Sequence, residues 1–479
     1  MTKEKKKSLL ITIAVILAAV LVIGLTVYNR LSDSGVLLRN KTAAESPNYK
    51  VDGMMMAYFY GSQYQSYYSY LSYLGVDTSV SLKQQECPYY SNGTWFDYFV
   101  DMTKDYVTEI LALCEGAREA GITLDDSDRA AIDENIQQLE DNAALYGYTA
   151  NNYLLLTMGN PIKTKDVKKC MELNTLAGKY YNQFMDSLNY SDAEIQAYYE
   201  ENKDTIDGVD YYSYSFYSSD YTEYDANDNP VTSSDADSAK AHAAAEQLAA
   251  AASGEEFEST LTALLNVTLN SDEDSINSAV KNTFHQHYTK AQLAGAGTDV
   301  SDWAFSASAG DSYTVGEEGD SSFTVYLLAR APYADETKSR DVRHILFTYD
   351  SYEDDTKVNE VYSEWEAAGF SEDKFIELVS LWSEDPGSVE NGGLYEDVVP
   401  GQMVEEFEDW LFAAKNPGDH GIIESDYGWH IMYFAGEGDL SVWQLTAKNE
   451  LQSADYSEML AGRSNGITFK DKAIAQINA

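Results

Sequence analysis

Apolar residues follow three different patterns along this chain of 479 residues. Residues 9–28 form an almost uninterrupted apolar run, and about twenty such residues in a helix match the thickness of a bilayer core. Between residues 53 and 204, apolar positions recur every three or four residues, which predicts an all-helical region. Beyond residue 205, short apolar runs typical of strands alternate with helical stretches, which predicts an α+β structure.

The apolar run near the N-terminus has two interpretations. Lys3, Lys5, Lys6 and Lys7 precede it, and lysines on this side favour a cytoplasmic N-terminus with the rest of the chain outside the cell membrane. The alternative is a cleaved signal peptide, but its apolar region would be shorter and would end in small residues. We therefore predict a single-pass membrane anchor within residues 1–30 and a polar spacer over residues 31–52.

Capping residues support the helices predicted after the spacer. Ser127 is expected to cap one of them, and Ser191 with Glu194 three residues later has the pattern of a capping box. The predicted helices cover residues 96–119, 127–145, 163–188 and 191–202.

An aromatic stripe precedes these helices. Tyr60, Tyr64, Tyr67 and Leu71 fall on one face of a predicted helix. Such a stripe is typical of a packing face, although tyrosine also suits promiscuous polypeptide binding. Both interpretations stay open at the level of the sequence.

Composition excludes several classes of function. A formal net charge of −47 argues against nucleic-acid binding, which needs a basic surface. Cys87, Cys114 and Cys170 are the three cysteines; they are too few for a disulfide framework, although one bridge is possible. Cys114 is expected to be a buried apolar residue. No cysteine pair has the close spacing of a zinc site.

Residues 209–330 and 342–435 have similar patterns. Trp303 corresponds to Trp410, and Gly310 with Asp311 corresponds to Gly418 with Asp419, at an offset near 107 residues. This predicts two tandem copies of one domain. The alternative is that residues 209–330 form an unrelated α+β domain.

Two histidines lie in strand-like runs near the ends of the second copy. His344 and His430 would each, taken alone, be assigned to a protein core. Asp385 could simply begin a turn, and Met403 with Phe407 has the i, i+4 spacing of a helix packing face. Between the histidines the chain reads SEDPGS at 383–388, GGL at 392–394 and GQMVEEF at 401–407. In combination, these features of residues 342–435 resemble the parvulin family of peptidyl-prolyl cis/trans isomerases.

The resemblance implies an activity that needs neither a cofactor nor a metal, and it implies a role for each of these residues. His344 and His430 are expected on neighbouring central strands, hydrogen-bonded to each other beneath the substrate. Asp385 is expected near the prolyl carbonyl, and Ser425 in the histidine network. The residues implied for the proline pocket are Leu394, Met403 and Phe407. The residue implied for the rim of the pocket is Gln402.

In the first copy, Tyr211 and Thr324 are matched to the two histidine positions, which predicts a copy that keeps the fold and has lost the site. It also carries an acidic, turn-rich insert at residues 218–238. In the second copy the loop at 348–355 is acidic, so specificity for phosphoserine-proline is not expected.

The helix predicted at 191–202 and the helical region before it resemble those of extracytoplasmic foldases of the PrsA and SurA type. The expected fold class is therefore α+β, with a transmembrane helix, a helical chaperone-like domain and two tandem parvulin-like domains, the first degenerate. The expected domains are 1–30 (anchor), 31–52 (spacer), 53–204 (helical), 205–335 (degenerate parvulin-like), 336–438 (parvulin isomerase) and 439–479 (C-terminal helical segment).

The expected function is a membrane-anchored foldase that isomerises X-Pro bonds in unfolded or partly folded exported polypeptides. One alternative is a polypeptide-holding chaperone or scaffold without catalysis. Another is a structural surface protein whose acidic ectodomain mediates adhesion.

Overall fold

The computed structural model describes residues 34–478 except 92, 228 and 269–271. The predicted membrane anchor at residues 1–30 lies outside the described residues, and within them no helix is both long and apolar enough to cross a bilayer. The chain divides into two compact units. Unit 1 contains the residues up to Asn189 and those from Gln452 onward, and unit 2 is Tyr190–Leu451.

Unit 1 is mainly helical, as the periodicity predicts. Asp125 caps the helix that was expected to begin at Ser127: its carboxylate accepts hydrogen bonds from the amides of Ser127 and Asp128. The expected cap is therefore wrong by two residues, because the earlier aspartate satisfies the same free amides. The helices are Val36–Arg39, Gly53–Ser66, Trp95–Glu119, Asp126–Leu145, Ala150–Met158, Thr164–Ser187, Asp471–Ile474 and the end of Val442–Ser464.

The aromatic stripe is a packing face over part of its length. Tyr60 and Tyr64 make ring contacts with Phe99 at centroid distances of 6.5 and 5.6 Å. The helix ends at Ser66, so Leu71 reaches the core from the turn that follows rather than from the same helix. Cys87, Cys114 and Cys170 are all buried and free, so the bridge that the sequence left open is not formed.

A small sheet joins the two ends of unit 1. Thr42–Glu45 pairs with Lys50–Asp52 on one side and with Thr468–Phe469 on the other. Beyond this sheet, Ile474 and Ile477 are buried in the core of the helical unit. Residues more than 400 positions apart in the sequence therefore pack in the same hydrophobic core.

Unit 2 contains two four-stranded antiparallel sheets with the same strand order. In each sheet the second strand pairs with the first, the first with the fourth and the fourth with the third. The strands are Gly208–Tyr217, Phe284–Thr289, Ser312–Val315 and Ser322–Tyr333 in the first segment, and Lys338–Thr348, Leu394–Val398, His420–Ser425 and Gly428–Ser441 in the second.

Helices cover both faces of each sheet in unit 2. In the second segment, Thr356–Ala367 and Glu372–Trp382 supply one apolar cluster and Glu405–Ala413 supplies another. Asp192–Glu201, which we expected in the helical region, belongs to unit 2, where Tyr199 packs on Trp443 at 4.7 Å. The helices of unit 2 are Asp192–Glu201, Lys203–Ile206, Ser234–Ala249, Gly254–Thr268, Glu273–Lys281, Lys290–Leu293, Thr298–Ala304, Thr356–Ala367, Glu372–Trp382, Glu405–Ala413 and the start of Val442–Ser464.

Corresponding hydrogen bonds show which residues of the two sheets are equivalent. The amide of Gly310 donates to the carbonyl of Leu328 at 2.7 Å, and the amide of Gly418 donates to that of Phe434 at 2.8 Å. Each contact lies beside a β-bulge in the last strand. Leu328 and Phe434 therefore occupy equivalent positions.

This register corrects one residue match between the segments. His344 lies opposite Met432, two residues before Phe434. The equivalent residue in the first sheet is Tyr326, and its partner is Ser213. Ser213, not Tyr211, therefore stands at the level of His344. The match from sequence was shifted by two residues because it aligned Val209 with Val342, whereas strand pairing makes Tyr211 the equivalent of Val342.

Replacing Ile477 by alanine tests the closure of unit 1 by the end of the chain. The side chain is 0 % exposed, so we expect Ile477→Ala to lower the free energy of unfolding by about 2–5 kcal/mol. The control is Leu145→Ala, at a residue that is 82 % exposed, where the change should stay within about 0.5 kcal/mol. Chemical denaturation followed by circular dichroism measures both, and equal effects would contradict the closure.

Candidate active site

Two paired strands bring His344 and His430 together. Lys338–Thr348 runs antiparallel to Gly428–Ser441, and His344 lies opposite Met432. Because side chains on a strand alternate between faces, both imidazoles lie on the same face of the sheet. Their Nδ1 atoms are 3.1 Å apart, and each residue is only 4 % exposed.

Asp385 lies beside the first histidine and is surrounded by hydrogen-bond donors. Its Oδ2 is 2.9 Å from Nε2 of His344, and it accepts from the hydroxyls of Ser388 at 2.5 Å and Tyr395 at 2.9 Å. Its Oδ1 accepts from the amide of Gly387 at 3.2 Å. Chiefly because of the bond to His344, the pKa of Asp385 lies well below its usual range, although burial opposes this shift.

The loop that carries Asp385 is attached to the strand that carries His344. The amide of Glu384 donates to the carbonyl of Leu346 at 2.9 Å, and the amide of Thr348 donates to the Glu384 carboxylate at 2.9 Å. These contacts fix the carboxylate of Asp385 relative to the imidazole, so its position does not depend on the loop alone.

Ser425 extends the network on the other side. Its Oγ is 2.8 Å from Nε2 of His430 and accepts from the amide of Tyr427 at 3.2 Å. A continuous hydrogen-bonded chain therefore runs from Tyr395 through Asp385, both histidines and Ser425.

The protonation states follow from burial and from the number of available donors. Burial is the main cause that lowers the pKa of His430 to about 4, and the neighbouring His344 lowers it further. We assign the His430 imidazole as neutral. Nε2 of His344 donates to the Asp385 carboxylate, which can only accept. One proton lies between the two Nδ1 atoms, and Nε2 of His430 pairs with the Ser425 hydroxyl.

An apolar layer covers the imidazoles. Phe407 places its ring edge-on to His344 at 5.3 Å and to His430 at 5.7 Å. It is 3 % exposed and packs with Met403 and Val404. The polar chain is therefore covered by hydrophobic side chains, which reduces its contact with water and strengthens its electrostatic interactions.

Comparison with known families agrees with this geometry. Residues 344–436 match the family model described as Rotamase, PPIC-type PPIASE domain. These residues form a PPIC-type parvulin domain.

Two curated relatives match part of the chain. Foldase protein PrsA 1 of Listeria innocua is 35% identical over 92 residues, which cover 19% of this chain and 28% of that protein. Chaperone SurA of Pseudomonas fluorescens is 34% identical over 110 residues, covering 21% and 24%. The chain thus spans about a quarter of the length of these two relatives.

A solved structure gives a longer alignment at lower identity. PrsA from Bacillus subtilis is 14% identical, with 80% of this chain and 86% of that chain covered and a TM-score of 0.29.

The structure corrects the placement of one predicted pocket residue. Leu394 pairs with Arg343, whereas Tyr395 pairs with Val342, on the side of the sheet that carries His344. Leu394 therefore points to the opposite face of the sheet. Tyr395 occupies the position that was expected for Leu394. The sequence shows two adjacent candidates, and only the strand register decides between them.

The predicted rim residue, Gln402, has a local structural contact. Gln402 is exposed, and its side-chain oxygen accepts from the amide of Val399 at 3.0 Å. It lies in the loop that leads to Met403 and Phe407, as a rim residue would, and it also stabilises that loop.

Tyr395 and Ser388 are site residues that sequence reasoning missed. A Cβ atom at Gly387 would lie 2.5 Å from the Tyr395 hydroxyl, so the glycine in the Asp-Pro-Gly-Ser turn leaves room for this tyrosine. Burial and the bond to Asp385 raise the pKa of Tyr395 to about 12, so it remains a hydrogen-bond donor at neutral pH. Its spacing from the turn gives no sequence signal, because the contact depends on strand pairing.

The protonation assignment predicts that His430 stays neutral in the folded protein. Its folded pKa of about 4 lies below the ordinary 6.5, so the unfolded chain binds the proton first and stability decreases as pH falls from about 6.5 towards 4. Histidine ¹⁵N NMR should show no titration of this ring between about pH 8 and pH 5, with His430→Gln to assign the signal. A midpoint near 6.5 would contradict the assignment.

The Tyr395 hydroxyl should contribute to stability through Asp385. Tyr395→Phe removes one donor to a buried carboxylate, so the free energy of unfolding should fall by about 1–3 kcal/mol. The control is Tyr362→Phe, which changes a ring that packs in the cluster on the other face of the same sheet, and its effect should be within about 0.5 kcal/mol. Denaturant titration of both variants measures the difference; equal values would contradict the role of the hydroxyl.

Proposed function

We propose that this protein is a peptidyl-prolyl cis/trans isomerase that assists the folding of exported polypeptides. The observation that carries the proposal is the continuous hydrogen-bonded chain from Tyr395 to Ser425 beneath the apolar layer of Phe407 and Met403. The relatives named foldase and chaperone support it.

Isomerisation requires rotation about an amide bond and no covalent chemistry. The barrier is about 18–20 kcal/mol because the planar amide is stabilised by resonance. When the bond twists, the carbonyl oxygen loses negative charge. A carboxylate held near that oxygen therefore destabilises the planar form more than the twisted one, which lowers the barrier. In this proposal Asp385 supplies that charge.

The remaining residues of the site serve this carboxylate or the proline ring. Phe407 and Met403 provide an apolar surface for the ring. Hydrogen bonds from Ser388 and Tyr395 hold Asp385 ionised and oriented. His344 and His430 form a hydrogen-bonded support beneath it, held by Ser425. No cofactor or metal takes part in these steps.

We propose that the first segment, residues 205–335, is a degenerate parvulin-like copy. The equal strand order supports this proposal. At the histidine levels it has Ser213 and Thr324, which lack an imidazole. The copy is therefore assigned a binding or structural role.

The polar pairs in that copy are different from those of the parvulin domain. Ser213 is 3.0 Å from Nε2 of His285, and Ser215 is 2.8 Å from the Thr324 hydroxyl. Burial lowers the pKa of His285. These pairs satisfy polar groups locally, and neither pair contains a carboxylate.

We also propose that residues 1–30 anchor the protein in the cell membrane with the remainder outside the cytoplasm. The lysines before the apolar run support this orientation. Prolyl isomerisation takes tens to hundreds of seconds without a catalyst, which makes such an enzyme useful to polypeptides that fold after export.

Asp385→Asn tests the proposed chemistry. Loss of the charge should reduce kcat/KM for an X-Pro tetrapeptide by about 10- to 100-fold, or about 1.4–2.7 kcal/mol of transition-state stabilisation. Met403→Ala should raise KM, because it removes apolar surface from the proline pocket. A protease-coupled assay and a proline-limited refolding assay measure these effects.

Two controls accompany this test. Asp419 lies in the same domain and accepts backbone hydrogen bonds in a turn, so Asp419→Asn should leave kcat/KM within about twofold. Thr324→Ala should also leave the rate unchanged if only the parvulin domain is catalytic. Unaltered activity in Asp385→Asn would overturn the proposal, and the absence of isomerase activity in the unmodified protein would favour a holding chaperone.

A further inference from the structure

A cleft in unit 1 has a volume of about 720 Å³. None of its described lining residues belongs to the parvulin domain. This volume lies within the range of typical ligand clefts. The helix Gly53–Ser66 and the end of the helix Ala150–Met158 form two of its walls, and residues 78–82 and Asn478 complete it.

Specific contacts hold the walls of this cleft in place. Nε2 of Gln65 donates to the carbonyl of Thr157 at 2.8 Å. The amide of Asn478 donates to the side chain of Asn160 at 2.9 Å, which donates back to the Asn478 carbonyl at 3.1 Å. At Gly61 an added Cβ would lie 2.5 Å from Sδ of Met158, so the two helices approach closely. The cleft is therefore a built feature of the fold.

The lining of the cleft is unusual for this chain because none of its described lining residues is charged. The sequence contains 23% charged residues and a net charge of −47, so several charged side chains would be expected in a surface of this size. A second cleft in the same unit shows the contrast, because Arg39, Lys41, Lys50, Asp52, Lys169 and Glu172 all line it.

The uncharged lining exposes large apolar and aromatic side chains. Leu156 is 62 % exposed, Tyr68 is 56 % exposed and Val80 is 38 % exposed. Exposed apolar groups that cluster in a concave surface mark a binding site more often than isolated ones do. Tyrosine provides contact area at a low cost in side-chain entropy.

Tyr60 adds an independent polar observation. The residue lines the cleft and is 3 % exposed, yet its hydroxyl has no hydrogen-bond partner among the described residues. A buried hydroxyl without a partner is costly. The hydroxyl oxygen is itself buried, so a backbone carbonyl of a bound polypeptide would satisfy it after the Tyr60 side chain turns towards the cleft.

We propose that this cleft binds an extended, uncharged polypeptide segment rich in apolar and aromatic residues. Charge complementarity selects this occupant, because a charged side chain would lose its hydration and find no counter-charge in the lining. The proposal rests on the proposed foldase function, to which it adds a client-holding site that is separate in sequence from the isomerase residues and selective for neutral segments.

Binding of labelled peptides to the protein of 479 residues tests the proposal. The probe is a fluorescein-labelled, proline-free, uncharged decapeptide of tyrosine, leucine, valine, serine and glutamine. Two companion peptides replace two central residues by aspartate or by lysine. Fluorescence anisotropy should show saturable binding of the neutral peptide and at least about 10-fold weaker binding of both charged peptides.

Matched variants on one helix locate the site. Leu156→Glu introduces a charge at an exposed lining position and should weaken binding of the neutral peptide at least about 10-fold. Leu155 is 45 % exposed and does not line the cleft, so Leu155→Glu should leave binding unchanged. Val80→Glu, on the opposite loop, should reproduce the effect of Leu156→Glu.

The outcomes separate this proposal from the proposed isomerase activity. Tetrapeptide isomerisation should be equal in Leu156→Glu and the unmodified protein, so a loss of isomerase activity in Asp385→Asn alone leaves the cleft proposal intact. Equal peptide affinity in Leu155→Glu and Leu156→Glu would overturn the cleft proposal. A change in sedimentation of Leu156→Glu without any peptide binding would also overturn it, because a second copy of the chain would then be the occupant.

Discussion

The ionised carboxylate of Asp385 is the group on which the candidate active site of this molecule depends. A charge that is largely removed from water requires compensating donors, and here Ser388, Tyr395, His344 and the Gly387 amide supply them. Each donor comes from a different part of the domain or from the turn itself, so the charge connects the loop to two strands. The histidine pair and Ser425 continue this order across the sheet. The need to compensate the charge of Asp385 thus determines where the surrounding donors lie.

The two sheets of unit 2 show what the backbone alone supplies. They share strand order and the contact beside the bulge, made by Gly310 in one and Gly418 in the other. Only the second has imidazoles at the paired positions. In the first sheet, the hydroxyl of Ser215 pairs with that of Thr324, and Ser213 pairs with His285 on the adjacent strand. The sheet therefore folds without the polar chain, which is consistent with the polar chain serving function rather than folding.

Charge distribution organises unit 1 in a different way. The chain is strongly acidic, and its charged side chains are largely kept on exposed positions or in pairs such as Arg39 with Asp166, which form a buried bidentate contact. An uncharged cleft against this background is a local exception. Because burial of an unpaired charge is costly, the proposed selectivity of the cleft comes from weaker binding of charged segments. Its position on a unit closed by the C-terminal segment makes it part of a stable scaffold rather than a loop surface.

Local patterns in the sequence determined much of this protein. Periodicity predicted the long helices, Ser191 with Glu194 predicted a capping box that the structure contains, and the strand-like runs identified His344 and His430, because these signals arise between near neighbours in the chain. Tertiary structure decided which face Tyr395 and Leu394 occupy, that Ser213 stands at the level of His344, and that Ile477 closes unit 1. Those features depend on strand register, on a bulge and on contacts between distant segments, and none of these leaves a local pattern.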